Sequence, residues 1–360
     1  MNQPTIIQTP EYPILLDVNA GQSLDAFLNT KAYSKLFVLM DENTYAHCYP
    51  LLAADSEILL EAELLVIDAG EENKSIAIAA QLWESLTEAD ADRHTLLINL
   101  GGGIVSDLGG FVASTFKRGM DFVNIPTTLL AMVDASIGGK TGVNLGRFKN
   151  QIGVFSSPKH LIIDVRFLET LAQEQIVSAF AEMIKHGLIA DQNYYEELAA
   201  IPHLDLKTLT PHIEKSIRIK KQFVDQDPNE KGLRKALNFG HSIGHALESF
   251  FMETQNPLLH GEAVALGMIA EAYLSNKLLE MPIHQLKSIQ ELIKTHFKHQ
   301  RIKADQIEAI AELVFHDKKK EGKKLNFSLL NQIGSCKINI QVSKKEIENA
   351  LKYIVYELSN

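Results

Sequence analysis

Over roughly its first 165 residues the chain lays down short apolar runs, separated by longer stretches in which apolar positions return every third or fourth residue. The runs are KLFVLM ending at Met40, ELLVID at Asp68, TLLINL at Leu100, FVNI at Ile125 and LIID at Asp164. A short apolar run bounded by turn residues reads as a buried strand, and the three-to-four period between runs reads as helix. Their alternation predicts βαβ units around a parallel sheet. Three runs pass directly into polar or glycine-rich turns, DENTY from 41, AGEENKS from 69 and GGG from 101. In open parallel sheets ligands bind beyond the carboxyl ends of the strands, so these turns are where a ligand is expected.

Past residue 165 the period becomes helical, as in FLETLAQEQIVSAFAEMIKHGLIA and IEKSIRIKKQFVDQD, until LNFSLL and CKINIQV near the C-terminus suggest one small hairpin. The expected organisation is an α/β domain over 1–165 and a mostly α-helical domain over 166–360. No repeat and no low-complexity linker divides them, so close packing and a site in the intervening cleft are expected.

Composition narrows the function more than the fold. The 360 residues carry 35 basic and 45 acidic side chains, a formal charge of −10, which makes a nucleic-acid partner a poor match. An anionic ligand would need a local gathering of cations. Cys48 and Cys336 stand far apart without CxxC spacing, so neither a disulfide framework nor a structural zinc knuckle is indicated. The N-terminus lacks a basic segment followed by an apolar core, and no apolar run approaches a membrane span, so a cytoplasmic protein with no membrane partner is expected.

Two glycine motifs fall short of the patterns they approach. GGGIVSDLGG follows a strand, but Ser106 stands where the third glycine of a dinucleotide fingerprint belongs. GGKT at 138–141 resembles the end of a Walker A loop, but Asp134 holds the position of its first glycine. Gly101 to Gly103 suit either a tight strand-to-helix turn or the approach of backbone amides to a pyrophosphate, and Asp107 suits either that site or a helix dipole. Gly138, Gly139 and Gly142 leave Lys140 on bare backbone.

In NFGHSIGHALES, His241 and His245 project from one face of a helix, one turn apart. His260 opens another apolar helical run, and AFAEMIKHG sets Glu182 and Lys185 on one face beside His186. One glutamate and two or three histidines can form a three-ligand divalent site with open positions, and they can equally be satisfied core side chains. Three histidines in two glycine-flanked helices favour the metal. Lys140, Lys149, Lys185, Lys220, Arg234 and the lysines of HDKKKEGKK each suit a solvated surface, yet gathered near metal ligands they suggest a small, multiply anionic substrate.

The segments GGGIVSDLGGFVASTFKRG, IPTTLLAMVDASIGGKTGVN, FKNQIGVF, AEMIKHG, LNFGHSIGHALE and HGEAVALGM, in this order, resemble the 3-dehydroquinate synthase family from DENTY at 41 to DKKK at 317. The resemblance implies a Rossmann-like NAD domain, a helical metal-binding domain, a homodimer, and zinc or cobalt as the divalent ion. By motif position it implies Glu182, His245 and His260 as metal ligands. It places NAD against Asp41, Asn43, Glu71, Lys74, Gly102, Gly103, Asp107, Thr127, Thr128 and Lys149. It places the sugar phosphate 3-deoxy-D-arabino-heptulosonate 7-phosphate against Asp134, Lys140, Asn150, Lys185, Lys220, Arg234, Asn238, His241 and a lysine among 318–320, taken as Lys319. Arg118 resembles an arginine that reaches the partner subunit's phosphate site. The implied reaction is the phosphate-eliminating ring closure to 3-dehydroquinate, the second step of the shikimate route to chorismate and the aromatic amino acids. Ser242, Asn144 and Gly146 depart from the family pattern, and none of the three is expected to touch a ligand.

Overall fold

The computed structural model describes residues 5–146, 148–252, 254–297, 302–316 and 324–359. Its chain divides into two compact units, Met1–Ala172 and Gln173–Asn360. Lys319 lies outside the described residues.

In the first unit a seven-stranded sheet is built from β1 (Thr5–Gln8), β2 (Pro13–Leu16), β3 (Leu36–Asp41), β4 (Glu63–Ile67), β5 (Leu96–Gly101), β6 (Asp121–Pro126) and β9 (Leu161–Ile163), in the order β1-β2-β9-β6-β5-β3-β4. All neighbours run parallel except β1 and β2. Every residue of β5 is buried, as its unbroken apolar run requires of a central strand covered on both faces. The apolar faces of α4 (Ile76–Glu88) and α5 (Gly103–Thr115) meet it, with Leu82, Leu86, Leu108 and Val112 packed on Leu39 and Leu97. Fully burying each such side chain contributes about 1.5–3 kcal/mol, and Leu97→Ala would cost about 2–5 kcal/mol.

Three shorter helices, α1 (Ala20–Leu28), α2 (Glu42–His47) and α3 (Tyr49–Ala54), complete this part of the chain. A 3-10 turn, Val165–Thr170, stays with the unit because Arg166 is tied to Asp164 and to Asp55.

Two hairpins fall outside the expected βαβ alternation. The strands TIIQ and PILL of β1–β2 have only four residues each. The second hairpin, β7 (Lys140–Leu145) on β8 (Phe148–Phe155), uses the glycine-containing KTGVNL and FKNQIGVF, which lack a continuous β-branched run.

The second unit contains α6 (Gln173–Ala190), α7 (Gln192–Ala199), α8 (Leu206–Gln226), α9 (His241–Met252), α10 (His260–Leu279), α11 (Ile283–His296), α12 (Ile307–His316) and α13 (Lys344–Ser359), with the C-terminal hairpin β10 (Lys324–Gln332) and β11 (Ser335–Ser343) as expected. Helix α10 is apolar nearly all round and is the central element, in contact with α6, α9, α11 and α13. No helix among the described residues is long and apolar enough to cross a membrane.

Candidate active site

In the first unit β3 has β4 on one side and β5 on the other, so the order of the strands reverses at β3 and β5. A crevice opens beyond the carboxyl ends of parallel strands at such a reversal. Asp41 and Asn43 follow β3, Glu71 and Lys74 follow β4, Gly102, Gly103 and Asp107 follow β5, and Thr127 and Thr128 follow β6. All therefore stand at one edge of the sheet.

Asp41 caps α2, accepting from the Thr44 amide at 2.8 Å, and so holds its own turn in shape. At the start of α5 the cap is Gly102, with no side-chain hydrogen bond to the first-turn amides. A Cβ on Gly102 would stand 3.1 Å from Thr128 Cγ2, so a larger residue would narrow this turn. Backbone amides at a bare helix N-terminus fit a pyrophosphate.

The buried Lys74 donates to Asp107 Oδ2 at 2.5 Å and to Asn150 Oδ1 at 2.6 Å. Glu71 has Lys149 Nζ 3.9 Å from its Oε1, with Asn144 Nδ2 closer at 2.8 Å. Asp134 lies on a short π-turn, Ala131–Ala135, and Lys140 opens β7 with its side chain exposed. Arg118 precedes β6, at the opposite edge of the sheet from these turns, and is exposed.

In the second unit the histidines and Glu182 converge because helices α6, α9 and α10 approach closely. The Gly261 amide donates to Ser178 Oγ at 2.9 Å, and a Cβ on Gly261 would lie 1.8 Å from the Ser178 carbonyl oxygen. This contact seats the first turn of α10, with His260, one helical turn from Glu182. A Cβ on Gly267 would similarly lie 2.0 Å from the Gly240 carbonyl oxygen, so α10 passes directly beneath the start of α9. Glu271, fully buried on α10, accepts from the Gly240 amide at 2.7 Å and the Ile243 amide at 3.1 Å. It takes the place of an N-cap, compensating a buried carboxylate with helix-terminal amides.

The outcome is a compact donor set. Glu182 Oε1 is buried without a hydrogen bond, facing His241 Nε2 at 3.3 Å and His260 Nε2 at 3.6 Å. The other ring nitrogen of each histidine is held: Nδ1 of His241 donates to the Phe239 carbonyl at 3.2 Å, and Nδ1 of His260 lies 3.4 Å from Glu248 Oε2. Metal-binding imidazoles are oriented in this way, one nitrogen to the ion and the other to a carbonyl or carboxylate. These three residues offer donor atoms within 4.8 Å of one another, while His245 groups instead with Glu248 and His260.

The resemblance implies Glu182, His245 and His260 as ligands, whereas the structure groups His241, rather than His245, with Glu182 and His260. Positions 241 and 245 share a helix face, and the packing of the start of α9 on α10, which itself packs on α6, determines which turn meets Glu182. His245 is the more exposed, its ring centroid 5.1 Å from that of His241.

The charges of the cluster shift one another's protonation. Burial alone would raise the Glu182 carboxyl, but Lys185 and then His241 outweigh it and hold it well below the usual carboxylate range. Burial, and then the Lys185 charge, push His241 down. Burial also pulls on His260, but Glu182 and Glu248 prevail and push it up to about 10.

Lys185 pairs with Glu182 Oε2. Lys185, Lys220 and Arg234 are 1, 6 and 2% exposed, so the solvated-surface alternative does not hold for these three. They lie on α6, α8 and the 3-10 turn Leu233–Asn238, which pack together. Asn238 Nδ2 donates to Glu230 Oε1 at 2.8 Å. His186, also buried, bonds Ser216 Oγ at 2.7 Å through Nδ1.

Three further residues of the site have no role in the motif reading. Glu248 is visible only as the last letter of GHALE, and Glu271 as a carboxylate inside an apolar helix, itself a signal of a buried partner. Asn144, not expected to touch a ligand, bonds Glu71 directly.

The family model described as 3-dehydroquinate synthase N-terminal matches residues 64–178, and the C-terminal one matches 179–320. A 3-dehydroquinate synthase of Parabacteroides distasonis is 42% identical over 345 residues, 95% of this chain and 98% of that one. One of Alkaliphilus oremlandii is 36% identical, covering 96% and 95%. Among solved structures, 2-deoxy-scyllo-inosose synthase with carbaglucose-6-phosphate, NAD+ and Co2+ superposes at TM-score 0.85 and 23% identity, covering 98% of this chain and 99% of that one. The 2-epi-5-epi-valiolone synthase of Streptomyces hygroscopicus, with NAD+ and Zn2+ bound, does so at 0.81 and 25%, with the same coverage. With both family models matched in sequence and relatives alike from end to end, the chain belongs to the 3-dehydroquinate synthase family.

Proposed function

We propose that this chain converts 3-deoxy-D-arabino-heptulosonate 7-phosphate to 3-dehydroquinate and phosphate, using NAD and a divalent ion. The observation that supports it most is the convergence of Glu182, His241 and His260 beside the buried Lys185. One carboxylate and two imidazoles leave positions open for substrate and suit zinc or cobalt. When bound, NAD supplies reversible hydride transfer at a substrate alcohol and the ion supplies a Lewis acid at that alcohol's oxygen.

The remaining chemistry falls to side chains of the protein. Gly102 and Gly103 would offer amides to the pyrophosphate, and the Lys74–Asp107 pair, Glu71, Thr127 and Thr128 would hold the cofactor beside that turn. Lys185, Lys220 and Arg234 attract carboxylate and phosphate from buried positions where their charge is weakly screened. Asn238, Asp134, Lys140 and Asn150 orient the hydroxyls and the anionic ends. His245, exposed and one turn beyond His241, is placed to move a proton at the substrate. Transient oxidation acidifies the carbon next to the new carbonyl. Phosphate then departs and can itself take up the proton, the carbonyl is returned to the alcohol, and the opened enol closes by an intramolecular aldol step. Net redox change is zero.

The protein is expected to act as a homodimer in the cytoplasm, with Arg118 of each chain serving the other's phosphate site.

The test supplies purified protein with the heptulosonate phosphate, NAD and Zn2+ or Co2+, and follows phosphate, dehydroquinate and absorbance at the NADH band. Phosphate release with no accumulating NADH is expected. Steady NADH would indicate a dehydrogenase, and turnover of a hexose 6-phosphate in its place would indicate another sugar phosphate cyclase. Failure to form dehydroquinate would sink the proposal.

A further inference from the structure

We propose that Asn144 is a positioning residue that ties the cofactor turn after β4 to the substrate residue Asn150. The inference rests on the reading above of Glu71 and Lys74 as cofactor-side and Asn150 as substrate-side.

Three contacts carry it. The backbone amide of Asn144 donates to the Lys74 carbonyl at 2.8 Å, and a parallel bridge joins Asn144 to Ser75, so the β7–β8 hairpin is stitched to that turn. Its side-chain Nδ2 donates to Glu71 Oε1 at 2.8 Å. Its Oδ1 accepts from the Asn150 amide at 2.9 Å.

The local backbone explains why an asparagine is needed. The hairpin register shifts between Val143 and Leu145, and this irregularity lets Asn144 address Glu71 and Asn150 together. Asn150 has φ +53°, a left-handed conformation that asparagine tolerates better than other non-glycine residues but that still has to be held. The bond from its amide to Asn144 holds it. With Asn150 so turned, its Oδ1 receives Lys74 Nζ at 2.6 Å, and Lys74 also holds Asp107 at 2.5 Å. Asn144, Glu71, Lys74 and Asn150 therefore close a ring through the Glu71–Lys74 backbone. A group bound against Glu71 and Lys74 would be felt at Asn150 through these short contacts.

The role predicts linked defects. In the metal-loaded protein, calorimetric titration of NAD into Asn144→Ala should show affinity weakened about tenfold, the size expected for losing one hydrogen bond to a carboxylate. The KM for the heptulosonate phosphate should rise with it, while bound metal stays at the wild-type ratio. Asn144→Asp keeps the acceptor for the Asn150 amide but sets a second carboxylate beside Glu71. It should lose at least as much NAD affinity and recover most of the substrate KM, a split that general loosening of the hairpin would not produce.

Wild-type NAD affinity and KM in both variants would overturn the role of Asn144 and leave the cofactor reading intact. Absence of NAD binding in the wild-type protein would remove both. If Asn144→Ala fails to fold, the isosteric Asn144→Asp decides alone, since equal losses of NAD affinity and KM there would reduce Asn144 to a structural residue.

Discussion

An imidazole at position 241 and one at 245 offer the same donor atoms from the same face of α9, displaced by about 6 Å along its axis. The packing of the start of α9 on α10 makes them unequal: Nε2 of His241 lies 3.3 Å from Glu182 while its Nδ1 is anchored on Phe239. His241→Ala is accordingly expected to lose its ion on dialysis, as is His260→Ala, measured by metal analysis of folded protein. His245→Ala should keep the ion at the wild-type ratio and lose about 10²–10⁴ in kcat, the usual cost of removing a proton-transfer group. Full metal retention in His241→Ala would restore the triad read from motif position.

The identity of the cluster was legible because His, Glu and Lys are improbable inside apolar helices unless they work there. Which histidine turns inward was not, because that depends on contacts such as Gly267 against Gly240. A second residue-level expectation concerns His160, whose ring packs 4.4 Å from Phe27 and whose protonation is disfavoured by burial. Its depressed folded value means that the stabilisation is complete above the unfolded value of about 6.5 and is lost as pH falls through the folded one. The denaturant midpoint should therefore drop on acidification from pH 7.5 to 5, and His160→Gln should remove part of that drop. An unchanged slope in the variant would contradict the assignment.

Helices α6, α9 and α10 hold the donor set by contacts that admit no side chain. Gly261→Ala would drive a methyl group to 1.8 Å from the Ser178 carbonyl, so the first turn of α10 must withdraw from α6 and carry His260 away from Glu182. The expected cost is about 1–3 kcal/mol of overpacking strain, read as a lowered urea midpoint, together with weaker metal binding. Metal affinity equal to wild type at reduced stability would show that His260 is located by something other than this contact.

Glu271→Gln tests the other fastening of the same elements. An amide has one acceptor oxygen where two backbone N–H groups now converge, so one of them is orphaned at about 1–3 kcal/mol.

The alternation of strands and helices up to Asp164 was plain from periodicity, as was the late hairpin. The β1–β2 and β7–β8 hairpins were not, because TIIQ and PILL have four residues each, and KTGVNL draws its strand character from pairing with β8 rather than from its own residues. The role of Asn144 is illegible for the same reason: a register irregularity between paired strands leaves no mark in one strand's sequence.

Arg118 stands apart from everything else in its unit's candidate site. It follows α5 and precedes β6, so it lies at the edge of the sheet opposite the turns that carry Gly102, Glu71 and Thr127, with a left-handed backbone at Lys117 and Arg118. An exposed arginine there cannot reach the ligand turns of its own sheet across the length of the strands. In the homodimer proposed above, a closed two-fold arrangement would supply one such arginine to each partner's phosphate site.

The consequence is a complementation. Arg118→Ala and Glu182→Gln, each inactive alone, should recover activity when unfolded together and refolded as mixed dimers. The Arg118→Ala chain keeps an intact Glu182 site and receives the arginine from its partner, while the reciprocal site is doubly impaired. Random pairing makes half of the dimers mixed, each with one competent site, so recovery should approach about a quarter of wild-type kcat. Recovery that follows the mixed-dimer fraction, measured by native mass spectrometry, fits an arginine supplied in trans. No recovery, with mixed dimers present, would return Arg118 to an ordinary surface charge.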